Sequence, residues 1–404
     1  MSTPAPRGAR ARISQARPKT ARSPRVPSVV LRGLTWRHTR GWLPLVAASA
    51  ALEERTEGRL RVEWEQRSLW EFGEGDLTGP ARAYDLLVLD HPLIGEAVAA
   101  DALCPLDEDA SVHDPADDLG GSQASYMWQG RTWALAVDAA CQVASWRPDL
   151  LEASGAQVPT TLDEVLALAR VAPIGMAMAP VDLWCTWLSL CAGLGQTPFA
   201  VPGELVGFEV GREAVALLAT LVDAAGPRWL GRNPVAVLSR LATHEDVVYV
   251  PYAFGYSNYA RQGYALSTIA SGPSPVVRSS RSTSLGGAGV AVSAFGAHQD
   301  QALQAAEWFT SAPCQAGPYL EAGGQPARRS AWECATASVV AGDYFRQTLP
   351  ALEAAFPRPC LPGMREFQTE AGDLLLQHAT SRTLDGALTS TLLRRWDAFA
   401  TTHG

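Results

Sequence analysis

Four consecutive apolar residues, Leu86-Leu-Val-Leu89, stand between two aspartates, Asp85 and Asp90. The run is too short for a buried helix and lacks the alternation of a strand with one wet face. It suits a strand covered on both faces, which needs helices above and below a sheet. The flanking sequence supplies such helices. Val30–Trp36 is apolar and reads as a strand, and a helix follows from Thr39 or Arg40 to Glu57. Arg61–Gln66 alternates and reads as a second strand; His91-Pro92 stops the Leu86–Leu89 run, and Ile94–Ala102 reads as a helix. This β-α-β-β-α rhythm predicts an α/β fold with a largely parallel sheet.

Farther along, Gly130–Val137 and Gln142–Trp146 read as two strands. Helices are expected at Pro148–Ser154, Leu162–Val171, Asp182–Gly193, Arg212–Ala225 and Pro234–Ala242. Val247–Tyr252 reads as a strand, Ser271–Ser284 as a loop, Gly289–Ser293 as a strand and Asp300–Thr310 as a helix; the last 70 residues read as helical. The two sets of elements interleave, so the chain crosses between two lobes more than once. The expected division is a disordered basic leader at 1–28, a first α/β lobe at 29–137 plus 288–326, and a helix-rich second lobe at 138–287 plus 327–404. Two lobes joined by several crossings make a hinge with a cleft between them.

Composition narrows the chemistry. Of the 33 basic residues, 10 lie in residues 1–40 with no acid among them, leaving 23 basic against 41 acidic groups in the body. An acidic body disfavours nucleic acid as a partner. The one lysine is Lys19, so the body offers none for a Schiff base or a P-loop. The seven cysteines are odd in number, form no CxxC, and mostly sit in apolar runs, as buried free thiols do. They suit a reducing compartment. The chain carries no GxSxG, HExxH or GxxxxGK[ST], and strand rather than helix follows Gly286-Gly-Ala-Gly289, so that run is no dinucleotide loop. Neither metal nor cofactor is expected. Trp42–Ala51 has an h-region-like character, but it is short, holds Pro44 and runs on into a charged helical end. No run reaches the roughly 20 apolar residues of a membrane span. The expected location is therefore cytoplasmic.

Several segments in order resemble family-1 extracellular solute-binding proteins, the carbohydrate-binding components of ABC importers. Tyr84–Gly95 with Leu103-Cys-Pro-Leu-Asp107 looks like their first-lobe signature. Trp128-Gln-Gly-Arg-Thr-Trp-Ala-Leu-Ala136 is similar to their hinge strand, with alanine where the family has a final proline. Arg147-Pro-Asp-Leu-Leu151 with Pro159–Glu164, and Ala305–Phe309 with Gln315 and Gly323–Arg328, resemble the later elements. Leu31–Gly41 is similar to the opening "LRGxTWDHPRG" of a subgroup often without a leader, but Arg37 and Thr39 depart from its Asp and Pro. The resemblance implies a type-II periplasmic-binding-protein fold, capture of a small polar ligand, an ABC permease as a possible partner, a monomer, and an extracellular or cell-surface location as the alternative to the cytoplasm.

Candidate ligand contacts follow from topology. Ligands of an α/β lobe sit at the carboxyl ends of its strands. Trp36, His38 and Arg40 leave the first strand, and Asp90 and His91 leave a later one. Sugars need planar aromatic faces together with charged hydrogen-bonding groups, which these residues supply. His38 and His91 read equally as structural histidines, and Asp90 as a helix cap. The aromatic patch Tyr249–Tyr259 is read either as core or as lining; within it Tyr252, Tyr256, Ser257 and Asn258 are candidates, Tyr256 matching the family's stacking platform. Asp138 lies just past the expected hinge strand. Asp182, Trp184 and Trp187 are candidates from the second lobe, and Arg328 follows the family's late element and is expected at the cleft or in an inter-lobe ion pair. The leading expectation is a binding protein for a carbohydrate-like ligand. The alternative is an intracellular enzyme on the same scaffold, with His38, Asp90, His91 and Tyr256 moving protons.

Overall fold

The computed structural model describes Met1 and residues 28–106, 114–278, 282–381 and 385–403. The expected disordered leader falls, but for its two ends, outside these residues, as does Asp107.

Strand β1 (Val29–Trp36), helix α1 (Thr39–Arg55) and strand β2 (Leu60–Arg67) form the first unit. β1 and β2 pair in parallel from Val29↔Leu60 to Trp36↔Arg67. The h-region-like stretch Trp42–Ala51 lies within α1, where Leu45 and Ala48 are buried against the sheet. Ser68 and Glu71 form a reciprocal capping box that starts α2 (Leu69–Glu74). Helix α3 (Thr78–Ala83) leads into β3 (Leu86–Leu89), all four residues buried, which pairs in parallel with β1. Helix α4 (Ile94–Ala99) follows. A small hairpin of β4 (Met127–Trp128) and β5 (Arg131–Thr132) precedes β6 (Leu135–Trp146).

The two strands expected around residue 140 are one. Between Val137 and Gln142 the chain is Asp-Ala-Ala-Cys, with no glycine or proline to stop pairing, so β6 runs through unbroken. Its first half pairs with β9 and its second half with β7 and β8.

The next elements are α5 (Pro148–Ala153), α6 (Leu162–Leu168), α7 (Pro180–Gly193), α8 (Phe208–Ala225) and α9 (Pro234–Thr243). They pack on β7 (Tyr249–Phe254), whose neighbour across β6 is β8 (Ala270–Gly272). The chain returns in β9 (Leu285–Val292), then passes α10 (Gln299–Thr310), α11 (Ala312–Cys314), α12 (Arg329–Glu333), α13 (Ala335–Ala341) and α14 (Tyr344–Glu353). Helices α15 (Met364–Ser381) and α16 (Asp385–His403) end it.

The strand order is β2-β1-β3-β9-β6-β7, with β8 also on β6. Only β2-β1-β3 is parallel; β3-β9, β9-β6, β6-β7 and β6-β8 are antiparallel. The expectation of a largely parallel sheet holds for the first unit and fails at the strands that cross between lobes.

Three apolar clusters divide the molecule. Two lie on opposite faces of the first sheet: one holds α1 and α10 residues such as Leu45 and Phe309, the other α3, α4 and α14 residues such as Ala81, Ile94 and Phe345. The third is the helical core of the second lobe, from Leu151 to Ile269, with Met364–Trp396 of the last two helices. Ala327–Leu352, assigned from sequence to the second lobe, pack instead into the first lobe, because Trp332, Tyr344 and Phe345 face its sheet cluster. A third crossing therefore lies at Phe356–Met364. Phe356 pairs beside the start of β9 (Leu285 N donates to Phe356 O at 2.8 Å, and Phe356 N to Thr283 O at 3.0 Å). Among the described residues, no helix is long and apolar enough to cross a membrane.

Candidate functional site

A cleft of about 380 Å³ opens where the two lobes face each other. Its first-lobe wall comes from the end of β1, from α2 and from the turn after β3; its second-lobe wall comes from the start of α7, the turn before α9 and the end of β7. Its floor is the crossing segments, with Asp138 and Ala140 of β6, Gly286 and Gly287 of β9, and Arg358.

Arg40 anchors the floor. It is 4% exposed, and its guanidinium makes a two-pronged ion pair with Asp138: Nε donates to Oδ2 at 2.8 Å and Nη2 to Oδ1. Nη1 donates to Gly255 O at 2.6 Å. The same guanidinium lies 4.6 Å from the Tyr256 ring centre, so first-lobe Arg40 and second-lobe Tyr256 meet as a cation–π pair. Burial alone would lower the Arg40 pKa; the Asp138 carboxylate reverses this and holds it above the usual guanidinium range.

His38 caps α1, its Nδ1 accepting from Arg40 N at 3.0 Å. The proton of the neutral ring therefore sits on Nε2, which stands 3.3 Å from the Tyr264 hydroxyl. Burial and then the Arg40 charge push its pKa down to about 4. The ring packs edge-on against Tyr256, 4.8 Å between centres. Both nitrogens are engaged, which leaves His38 holding Tyr256 rather than moving protons.

Asp90 and Arg358 form the second charged pair. Arg358 Nη2 donates to Asp90 Oδ2 at 2.6 Å and Nη1 to Gln368 Oε1 at 2.9 Å, while its buried Nε has no partner among the described residues. Burial would raise the Asp90 pKa, but the Arg358 charge outweighs it and holds the carboxyl well below the usual range. Gln368 Nε2 also donates to Glu74 Oε1 at 2.9 Å, and Thr369 Oγ1 to Glu74 Oε2 at 2.6 Å. Glu74 is pushed up to about 7 by burial, against these hydrogen bonds. His91 sits behind this pair, 1% exposed and outside the lining. Its Nε2 accepts from Arg358 N at 3.1 Å, so Nδ1 carries the proton, 3.1 Å from Asp90 Oδ1 but poorly aligned with it.

Across the cleft, Asp182 near the N-terminus of α7 is 4% exposed. Its carboxyl accepts no hydrogen bond among the described residues, and burial pushes its pKa up to about 8. The aromatic surfaces are Trp36, Phe72, Phe254, Tyr256 and Trp70. Trp36 tilts onto Phe72 at 4.7 Å, and its buried Nε1 has no partner. Trp70 is 66% exposed at the first-lobe edge.

Of the sequence candidates, Trp36, Arg40, Asp90, Asp138, Asp182 and Tyr256 therefore share one cleft, and His38 and His91 stand directly behind it. The others lie elsewhere. Trp184 and Trp187 stack at 5.3 Å wholly inside the helical core, because α7 is apolar on all sides. Tyr252 is buried on β7 and donates to Pro275 O at 3.2 Å. Ser257 and Asn258 lie in the hinge beneath Tyr256; Ser257 N donates to Gln325 Oε1, and Asn258 Nδ2 to Gly323 O, each at 3.0 Å. Arg328 donates from Nε to Thr310 O at 2.8 Å and stands 3.7 Å from Asp118, closing a first-lobe turn away from the lining. Sequence reasoning missed Glu74, Trp70, Asn233 and Arg358. The Ser68-Leu-Trp-Glu71 box signals α2, and an arginine between Pro357 and Pro359 signals an extended break in a helical tail.

Neither a family profile nor a curated protein matches the chain. Solved structures do. Maltose-bound MalE3 of T. maritima superposes with a TM-score of 0.81 at 16% identity, covering 92% of this chain and 100% of that one. A solute-binding protein of an ABC transporter from Thermotoga lettingae, bound with α-D-tagatose, gives 0.78 at 14% identity over 92% and 100% of the two chains. A further such protein from Agrobacterium radiobacter, in complex with ribitol, gives 0.73 at 17% identity over 92% and 99%. The chain thus has the two-lobed fold of type-II periplasmic binding proteins.

Proposed function

We propose that the protein is a solute-binding protein that captures a small polar, carbohydrate-like ligand between its lobes. The observation that carries this is the lining itself: the aromatic residues Trp36, Trp70 and Tyr256 share one cleft with polar groups at Asp182, Asn233 and Arg358, drawn from both lobes. Aromatic faces receive the C–H surfaces of a sugar, and charged groups direct its hydroxyls. The cleft volume falls in the roughly 300–1,000 Å³ usual for small-ligand sites. Similar folds hold maltose, α-D-tagatose and ribitol, which supports the same ligand class here. The enzyme reading gains little from the histidines: both ring nitrogens of His38 are engaged, and His91, buried behind the lining, uses Nε2 to hold the Arg358 backbone.

On this reading the chain works as a monomer, and closure over the ligand creates the surface that a permease recognises. Recognition by an importer's permease requires the cell surface, and a cytoplasmic location would rule that partner out; cell fractionation decides between the two.

Isothermal titration against a panel of mono- and disaccharides and polyols tests the proposal. Saturable binding to at least one member is expected, weakened roughly tenfold or more by Tyr256→Ala. Silence across the panel overturns the carbohydrate reading.

A further inference from the structure

The charges lining the cleft do not balance. Six lining residues are ionisable as acids or strong bases: Arg40, Glu74, Asp90, Asp138, Asp182 and Arg358. Arg40 is consumed by Asp138, and Arg358 by Asp90. Glu74 and Asp182 remain without a cation of their own. The Glu74 carboxyl is held by neutral donors, one on each oxygen; the nearby Arg365 pairs with Glu96 and Glu366 and reaches only the Glu74 carbonyl, at 3.3 Å. Asp182, buried to 4% exposure, has no hydrogen-bond donor among the described residues. Beside it, the Arg358 Nε is buried and unpartnered, a further polar group of the lining left open.

A buried carboxyl without a partner is costly, and the cost is relieved when a cation with several N–H donors arrives. A neutral sugar supplies hydroxyls to such groups but cannot compensate two carboxylates. An ammonium group does both, and its carbon frame still requires the aromatic faces of Trp36 and Tyr256. We infer that the cleft selects an amine-bearing carbohydrate or polyol, its ammonium group seated against Asp182 and Glu74. This rests on the binding-protein reading above and goes beyond it in the ligand's charge.

The ligand-free site holds protons in the ammonium's place. Burial raises Asp182 to about 8, with Arg358 opposing and the Glu74 charge adding to the rise; burial raises Glu74 to about 7, with the Thr369 and Gln368 hydrogen bonds and Arg358 opposing and the Asp90 charge adding to the rise. Tyr256, on the second-lobe wall with Asp182, stays protonated, pushed far up by burial. Near neutral pH Asp182 is therefore largely uncharged and Glu74 about half ionised, and an arriving ammonium expels a proton. Affinity for the amine rises with pH through the range of about 6 to 8, until the amine itself deprotonates.

Matched pairs test this: glucose against glucosamine, sorbitol against 1-amino-1-deoxysorbitol, and cellobiose against fully deacetylated chitobiose. Each is titrated calorimetrically at about pH 6.5 in two buffers of different ionisation enthalpy. The expected result is an amine bound at least about tenfold tighter than its neutral parent, with proton release, and this preference collapsing toward unity in Asp182→Asn. Glu74→Gln serves as the second variant should Asp182→Asn fail to fold, as judged by circular dichroism. Neutral members binding as tightly as the amines overturn the inference and leave the binding-protein reading standing. An amine preference that survives in both variants, or that comes without proton release, also overturns it. Failure of every member of every pair to bind overturns both.

Discussion

Asp182 carries a cost that no neighbour removes. Its carboxyl titrates near 4 in an unfolded chain and at about 8 when folded, so folding takes up a proton between those values. The favourable contribution is complete below about pH 4 and is lost as pH rises through about 8. Thermal melting of the ligand-free protein should therefore fall between about pH 6 and 9, and Asp182→Asn should flatten that fall and raise the melting temperature at pH 9 by roughly 2 °C or more. An unchanged profile would mean that Asp182 is not the desolvated acid described. Arg358 acts in the opposite sense. Its removal leaves Asp90 without a cation and frees the segment crossing between lobes, so Arg358→Met should cost about 3 kcal/mol or more in denaturant unfolding. The sequence made Trp36, Arg40, Asp90 and Tyr256 legible because each lies at the end of a strand visible in its own pattern. It hid Arg358, which gains its role from Asp90, 268 residues away in the chain, and it misplaced Trp184, whose apolar surroundings in α7 bury it on every side.

Helix α2 and the crossing strands give the elements their separate tasks. Because α2 carries Trp70 outward, 66% exposed, Trp70→Ala should weaken ligand binding several-fold while leaving the melting temperature within about 1 °C. A melting loss as large as that of a core tryptophan would show that the side chain is structural. Gly287 sits at φ +129, and a Cβ there would approach Asp138 O to 2.3 Å. Gly287→Ala should therefore push β9 from β6 at the floor of the cleft and lower both stability and affinity. Gly41 has a related duty, since a Cβ on it would stand 2.3 Å from the Trp36 ring and displace that face. Element types were readable where periodicity was long, as in α1, α8 and α15. The fusion of β6 was missed although no glycine or proline interrupts Asp138–Cys141; its change of partner from β9 to β7 and β8 is set by residues far away in the chain. The return of α12–α14 to the first lobe was equally silent, being set by long-range packing of Trp332, Tyr344 and Phe345.

At the scale of the molecule, three chain crossings lie side by side under the cleft, and side chains also link the lobes, Glu74 with Gln368 and Thr369 and Glu96 with Arg365. Arg40, from the first lobe, meets Gly255 and Tyr256 of the second beside those crossings. Two lobes and a gap between them follow from the interleaved order of strands and helices, which is why the architecture was legible before any coordinate. The chemistry of the guest was not, because Glu74 and Asp182 become uncompensated only when every nearby arginine has been assigned to another acid. The most direct test of the central claim is a crystal structure of the protein with the ligand that titration selects. Density is expected between the lobes, with a ring face against Tyr256 or Trp36 and a polar group within hydrogen-bonding reach of Asp182. Density in another depression, such as the groove lined by Phe199, Val201 and Trp396, with the inter-lobe cleft empty, would contradict it.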